Sequence, residues 1–357
     1  AKKAEWAKKN PELAQKLESF FSGKAPKVDW SAIEQKPGSA TRAASATVLG
    51  ALAKQVENMV VASADLSNSD KTDGFLKQTH AFTKGDFSGK FLQAGVAELT
   101  MACVCIGMSL HGGVIPACGT FFVFSDYMKP AIRMAALMEQ PVKFIWTHDA
   151  FRVGEDGPTH EPVEQEAQIR LMEKLQNHKG HNSTLVLRPA DAEETTQAWK
   201  LAMENTTTPT ALIFSRQNIA NLPAGNDYTQ TAKGAYVVAG SDENPDVVLV
   251  ASGSEVSTLV AGAELLRKDG VKIRIVSAPS EGLFRTQSKE YQESVIPAKA
   301  KKFGLTAGLP VNLEGLVGTD GKIWGLSSFG FSAPYKVLDE KLGFTGENVY
   351  KQVKEML

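Results

Sequence analysis

The stretch GEDGPTHEP, residues 154–162, holds Asp156 and His160 on a turn punctuated by glycine and proline. His148 stands just upstream, where the hydrophobic run FIWTHDAF ends. Acid–base groups on a stiff turn suit proton transfer and hydrogen bonding to substrate oxygens, because groups already in place reorganise little. His148, Asp149, Asp156 and His160 also include the two-histidine-plus-carboxylate set of some metal centres. Against a metal, the intervening turn carries Pro158 and two glycines, not a helix that would fix ligands at i and i+4. Glu98, in AGVAELTM, sits between apolar neighbours. Most such glutamates are half-exposed and paired; a buried one has a raised pKa and works as a proton donor or acceptor. Phe121, Phe124 and Tyr127 fall at i, i+3 and i+6. On spacing they read as a core stripe, and the same stripe could wall a flat heteroaromatic ring.

These residues need elements to hold them. TRAASATVLGALAKQVE has helical spacing, and NMVVASADL is a short apolar strand signal. GVAELTMACVCIGMSLHGG reads as a helix closed by Gly112 and Gly113, and TFFVFSDYMKPAIRMAALMEQ as a second helix. PVKFIWTHD is a strand delivering His148 and Asp149 at its end; EPVEQEAQIRLMEKL is a helix. STLVLRPA is a strand, DAEETTQAWKLAMEN a helix with Asp191 and Glu194 as a capping box, and TALIFSR a strand ending at Arg216. This alternation implies an α/β fold of two domains with mostly parallel sheets. The opening residues 1–38 read as a helical linker. A first domain spans 39–222, and a second covers 223–357, where DVVLVASGSE, EVSTLVAGAELLRKDG and VKIRIVSAPS form a βαβ unit, with strands expected in KKFGLTAG and KIWGLSSFGFSAP. The turn at Ser252–Glu255 lacks the full glycine fingerprint of a dinucleotide loop.

At 357 residues the chain is long enough for two cores, and its net charge of -1 gives no reason to expect nucleic acid or an anionic membrane as partner. Cys103, Cys105 and Cys118 match no zinc spacing and read as small buried residues of a protein in the reducing cytoplasm. The chain does not begin with Met and opens in a polar helical pattern, as the middle of something longer would.

In order, SADLSNSD, AGVAELTM, SLHGG, TFFVFSDYMKPAIRMAALM, THDAFRVGEDGPTHEPVEQ, IFSRQN, ASGSE and SFGFSAP resemble the transketolases, thiamine-diphosphate enzymes of the pentose phosphate pathway. The resemblance implies the pyrimidine-binding and C-terminal domains of a three-domain fold. It also implies transfer of a two-carbon ketol unit from a ketose phosphate to an aldose phosphate. By resemblance, Glu98, His160 and Asp156 are catalytic, with Glu98 bonded to N1′ of the aminopyrimidine. Asp65, Leu66, Phe121, Phe124 and Tyr127 join Glu98 around the cofactor, and Arg42, Ser69, His148 and Arg216 hold the sugar phosphate with Asp156 and His160. The family's magnesium and diphosphate motif has no counterpart here, so magnesium is expected on a missing diphosphate-binding domain or subunit and no metal on this chain. A homodimer, and inactivity of the chain alone as a fragment or half of a split enzyme, are expected with it. The chain departs from the family pattern at Ala97, Leu99, Thr100 and Asn68. A non-catalytic assembly subunit, a deoxyxylulose-phosphate synthase-like enzyme and a nicotinamide dehydrogenase are the alternatives.

Overall fold

The computed structural model describes residues 2–357. The opening segment forms two helices, Lys2–Lys9 and Pro11–Phe21. The break falls at Pro11, which fits the first position of a new helix because it has no N–H to leave unpaired.

Six strands then build a wholly parallel sheet: β1 Met59–Ser63, β2 Phe91–Gln93, β3 Ile115–Phe121, β4 Lys143–Thr147, β5 Leu185–Leu187 and β6 Thr210–Phe214. Their order is β2-β1-β3-β4-β6-β5. Every residue of β1, β4 and β6 is buried, as expected when helices cover both faces. Val61, Ile145 and Leu212 pack into one core with Leu49 and Trp199; Ala62, Phe144, Trp146 and Ile213 face the other with Met101 and Phe122. Burying each of the larger side chains stabilises the fold by roughly 1.5–3 kcal/mol.

TFFVFSDYMKPAIRMAALMEQ is not one helix. Its first residues finish β3, Phe122–Phe124 form a 3-10 turn, and the helix starts at Ser125. Thr120 and Phe121 extend a strand already paired with β1 up to Gly119 and themselves pair with Trp146 and Thr147 of β4, and β-branched and aromatic residues suit that environment. KIWGLSSFGFSAP likewise contributes only Lys322–Trp324 as strand; its Ser-, Gly- and Pro-rich remainder is a loop ahead of the helix Tyr335–Leu342.

The second sheet comprises β7 Tyr236–Val237, β8 Val247–Ala251, β9 Ile273–Ser277, β10 Lys301–Leu305 and β11 Lys322–Trp324, in the order β11-β10-β8-β9-β7, parallel except for β7. The βαβ unit runs β8, helix Glu255–Lys268, β9, with Gly270 left-handed just past the helix. Among the described residues no helix is long and apolar enough to cross a membrane.

Candidate functional site

In the first sheet the order of strand addition reverses between β1 and β3, which places a crevice at their carboxyl ends. A cleft of about 510 Å³ opens there, its walls including Ala64, Leu66, Glu98, Thr100, Phe124 and Tyr127. Glu98 is the first residue of the helix Glu98–His111, where the positive end of the helix dipole favours a carboxylate. It is only 7% exposed, and its carboxylate makes no hydrogen bond among the described residues.

Aromatic rings lead out of the cleft. Phe124 stacks on Tyr127 at 6.1 Å and on Phe121 at 6.0 Å, so the three rings form a ladder although only Tyr127 is on the helix. The His160 ring meets Phe124 and Phe121 in T-shaped arrangements, 5.6 and 6.4 Å away. The register sets Phe121 opposite Thr147, and its ring lies 3.7 Å from that of His148 rather than among the residues lining the cleft.

His148 follows β4 in the left-handed region, φ 61°, as Asp65 does after β1, φ 64°. Such backbone costs about 1–3 kcal/mol and is kept where the surroundings impose it. An Arg42 Nη donates towards His148 Nε2 at 3.4 Å. That nitrogen therefore accepts, which leaves the proton on Nδ1 to be donated to Thr147 Oγ1 at 2.9 Å. Arg42 also donates to the Ser69 carbonyl at 2.7 Å. Thr41 and Ser215 bond each other through backbone and side chain, which ties the start of the Arg42 helix to the end of β6 and brings Arg216 close. Burial, with the facing Arg216 charge, pulls Arg42 below its ordinary range. Burial, then the charges of Arg42, Arg216 and His160, press His148 down to about 2. Because its folded value lies below its unfolded one, this neutral imidazole contributes stability above about pH 6.5 that is lost as pH falls below it. The His148 Cε1 proton resonance is expected to stay flat from pH 8 to 5; an inflection near 6.5 contradicts the assignment.

Asp156 and His160 share successive turns: Gly157 N–H donates to Gly154 O at 3.1 Å and His160 N–H to Gly157 O at 2.9 Å. Gly154 and Gly157 hold φ of 90° and 73°, unfavourable for any other residue. Asp156 is exposed, and its side chain makes no hydrogen bond or ion pair with the cluster among the described residues; His160 is half-buried within it. The turn rests on the second domain, where Ser332 Oγ donates to Glu155 O at 2.6 Å.

Asp149 points away from the histidines. Its carboxylate accepts from Arg188 Nε and Nη at 3.1 and 2.6 Å, so it does not converge with His148, Asp156 and His160 on a metal. Among the described residues no group of three or more His, Cys, Asp or Glu is placed to hold an ion. Arg188 also donates to Ser252 O and Glu255, and Glu255 accepts from Arg152, which reaches Asp339 at 2.7 Å. The Ser252–Glu255 turn is thus an ion-pair seat: a Cβ at Gly253 would strike the Arg188 guanidinium. Sequence reasoning also passed over Thr147, which orients His148, and Asp70, which accepts from Ser63 and Thr72 under the β1 loop. SADLSNSD carried Asp70 in plain view, but nothing local showed it to be buried.

The geometry agrees with comparisons to known proteins. Residues 38–221 match the model of the transketolase pyrimidine-binding domain, and residues 234–345 that of the transketolase-like C-terminal domain. Transketolase of Bacillus subtilis (strain 168) is 43% identical over 97% of this chain and 51% of its own length; that of Halalkalibacterium halodurans is 42% identical over 99% and 52%. The solved transketolase of Leishmania mexicana superposes with a TM-score of 0.91 at 33% identity, over 99% of this chain and 51% of its own. A split-gene transketolase, solved as an inactive tetramer, shares the fold with a TM-score of 0.69 at 24% identity and is spanned over 99% of its length. The chain spans about half the length of the full transketolases it matches. With a parallel-sheet crevice, an acid in its wall and a histidine–arginine cluster at its mouth, the chain belongs to the transketolase family.

Proposed function

We propose that this chain forms the pyrimidine-binding and sugar-phosphate side of a thiamine-diphosphate-dependent ketol transferase in the cytoplasm. Its domains are read as residues 39–222 and 223–357, after a linker of 1–38. One observation carries the reading: an unbroken run of contacts from the Glu98 cleft through Phe124, His160, Phe121 and His148 to Arg42. That run has a pocket for a flat ring at one end and a cationic pocket for a dianion at the other.

The residues fit the cofactor's ring. Phe124 and Tyr127 give it a stacked wall, Leu66, next to Asp65, lines the same cleft, and Glu98 offers a carboxylate without a hydrogen-bond partner among the described residues. When bound, thiamine diphosphate supplies a nucleophilic carbon that takes up and releases the two-carbon unit. Glu98 shares a proton with N1′ of the aminopyrimidine. His160 hydrogen-bonds and exchanges protons with substrate oxygens, and Asp156 holds a substrate hydroxyl. Arg42, Arg216, Ser69 and neutral His148 grip the phosphate, the two guanidiniums supplying charge and His148 a fixed dipole. Magnesium and the diphosphate belong to the half of the relatives that this chain does not span. Val96 and Tyr127, at 80% and 63% exposure beside the cleft, leave an apolar rim for that half and for a second copy in a homodimer to cover.

Ketol transfer from xylulose 5-phosphate to ribose 5-phosphate tests the reading. The chain alone is expected to show negligible turnover, and addition of the diphosphate-binding half of a close relative to restore it. Full turnover by the chain alone, or none in a complex shown to assemble, sinks it; the latter is the behaviour of an assembly subunit.

A further inference from the structure

Glu161 follows His160 directly, and nothing above uses it. It is 3% exposed, and neither of its carboxylate oxygens has a hydrogen-bond partner among the described residues. Its wall is the SSFGFSAP loop of the second domain: Gly330 lies so close that a Cβ there would strike Glu161 Oε2. Contact continues along the turn. Ser332 Oγ donates to Glu155 O at 2.6 Å, and a Cβ at Gly157 would stand 3.0 Å from that of Ser332. The chain that carries His160 is thus pressed onto a loop of the other domain, with an unpaired carboxyl group at the contact.

We infer that Glu161 is a positioning residue whose protonated form seats the His160 turn on the Gly330 loop and whose ionisation loosens that seat. A neutral carboxyl tolerates a dry contact that a bare carboxylate does not. The surroundings offer little to offset the charge. The loop 325–334 contains no titratable side chain, nor do Gly308 and Leu309, which pack beside Val163. The nearest cation along that loop is Lys336, and Asp339 beyond it is occupied by Arg152. The turn itself adds the acids Glu155, Asp156 and Glu164, and the titratable His160. Burial accordingly pushes Glu161 up from 4.5 to about 7; the Phe331 amide lies near enough to pull the other way, more weakly, but does not meet either oxygen in hydrogen-bonding geometry. Since the folded value is the higher, the stability held by the proton is complete below about pH 4.5 and is lost as pH rises through about 7.

The test compares the melting temperatures of wild type and Glu161→Gln between pH 5 and 8.5. Glutamine keeps the shape and carries no charge. Wild type is expected to lose about 3–5 °C relative to the variant across the window, most of it between about pH 5 and 7, with the difference levelling off above about pH 7. Glu173 and Glu194, also raised to about 7 by burial, affect both proteins alike. In wild type the carboxyl ¹³C resonance of Glu161 should titrate near pH 7, and the His160 Cε1 resonance should follow that midpoint and lose it in the variant. A merely structural glutamate would not move the His160 signal. Parallel melting curves, or a Glu161 midpoint below about 5.5, overturn the proposal; if Glu161→Gln does not fold, the wild-type titration alone decides. The consequence for ketol transfer rests on the proposed function, but these readouts do not, so a titrating Glu161 in a chain that never supports transfer refutes only the function.

Discussion

Glu98→Ala, in the chain combined with a diphosphate-binding half, is expected to lower ketol transfer by about 10³-fold, within the range set by loss of a positioned acid–base group. The side chain is held by the start of a helix, is nearly excluded from solvent and has no hydrogen-bond partner among the described residues, so its hydrogen-bonding capacity is directed at whatever fills the cleft. Glu98→Gln keeps the shape but cannot exchange the proton, and should fall almost as far. Because no internal bond is broken, the melting temperature of either variant should stay within about 2 °C of wild type, a surface-like effect. Activity above about a tenth of wild type for Glu98→Gln would falsify the proton-sharing role. A large loss of stability would instead show a structural carboxylate.

The second large effect is on folding. Arg188→Met should destabilise the chain by about 3–5 kcal/mol, the cost of leaving buried charges without their partner. Arg188 is 1% exposed and bridges Asp149 of the first domain to Ser252 and Glu255 of the second. Glu255 would keep Arg152, at 2.7 Å, but Asp149 has no other side-chain partner among the described residues. Burial already holds Asp149 above the usual carboxylate range despite Arg188. Glu255 is pushed up by burial too, yet the charges of Arg188 and Arg152 bring it below its ordinary value. Arg188→Lys should rescue little, since one ammonium cannot reproduce a guanidinium serving acceptors on two sides. Urea unfolding measures both variants, and a loss under about 1 kcal/mol for Arg188→Met would show that the bridge does not hold the domains together.

The different legibility of these residues has a physical origin. The Gly154–Gly157 turn was readable because a positive φ leaves its mark in residue type, and β1, β4 and β6 because two-sided burial demands continuous apolar runs. Phe121 was readable as an aromatic near a site but not as a strand residue, since an i, i+3, i+6 spacing carries no record of its sheet partner, Thr147 of β4. Arg188, Asp149 and Glu255 resemble ordinary charged residues until chain segments 39 and 67 positions from Arg188 are brought to it. Glu161 reads as one more acid in a polar turn, and its burial shows only when Gly330, from the other domain, is brought against it.

The sequence by itself determined the alternation of strands and helices, the rigid turn that carries His160 and the ordered motifs that mark the family, because backbone preference and hydrophobic period are local properties. The tertiary structure decided which ring faces His148, where the proton on that imidazole sits and which acids lose their water. Desolvation and charge pairing depend on which distant segments share a dry volume, and that is settled only when the two sheets are assembled and packed together.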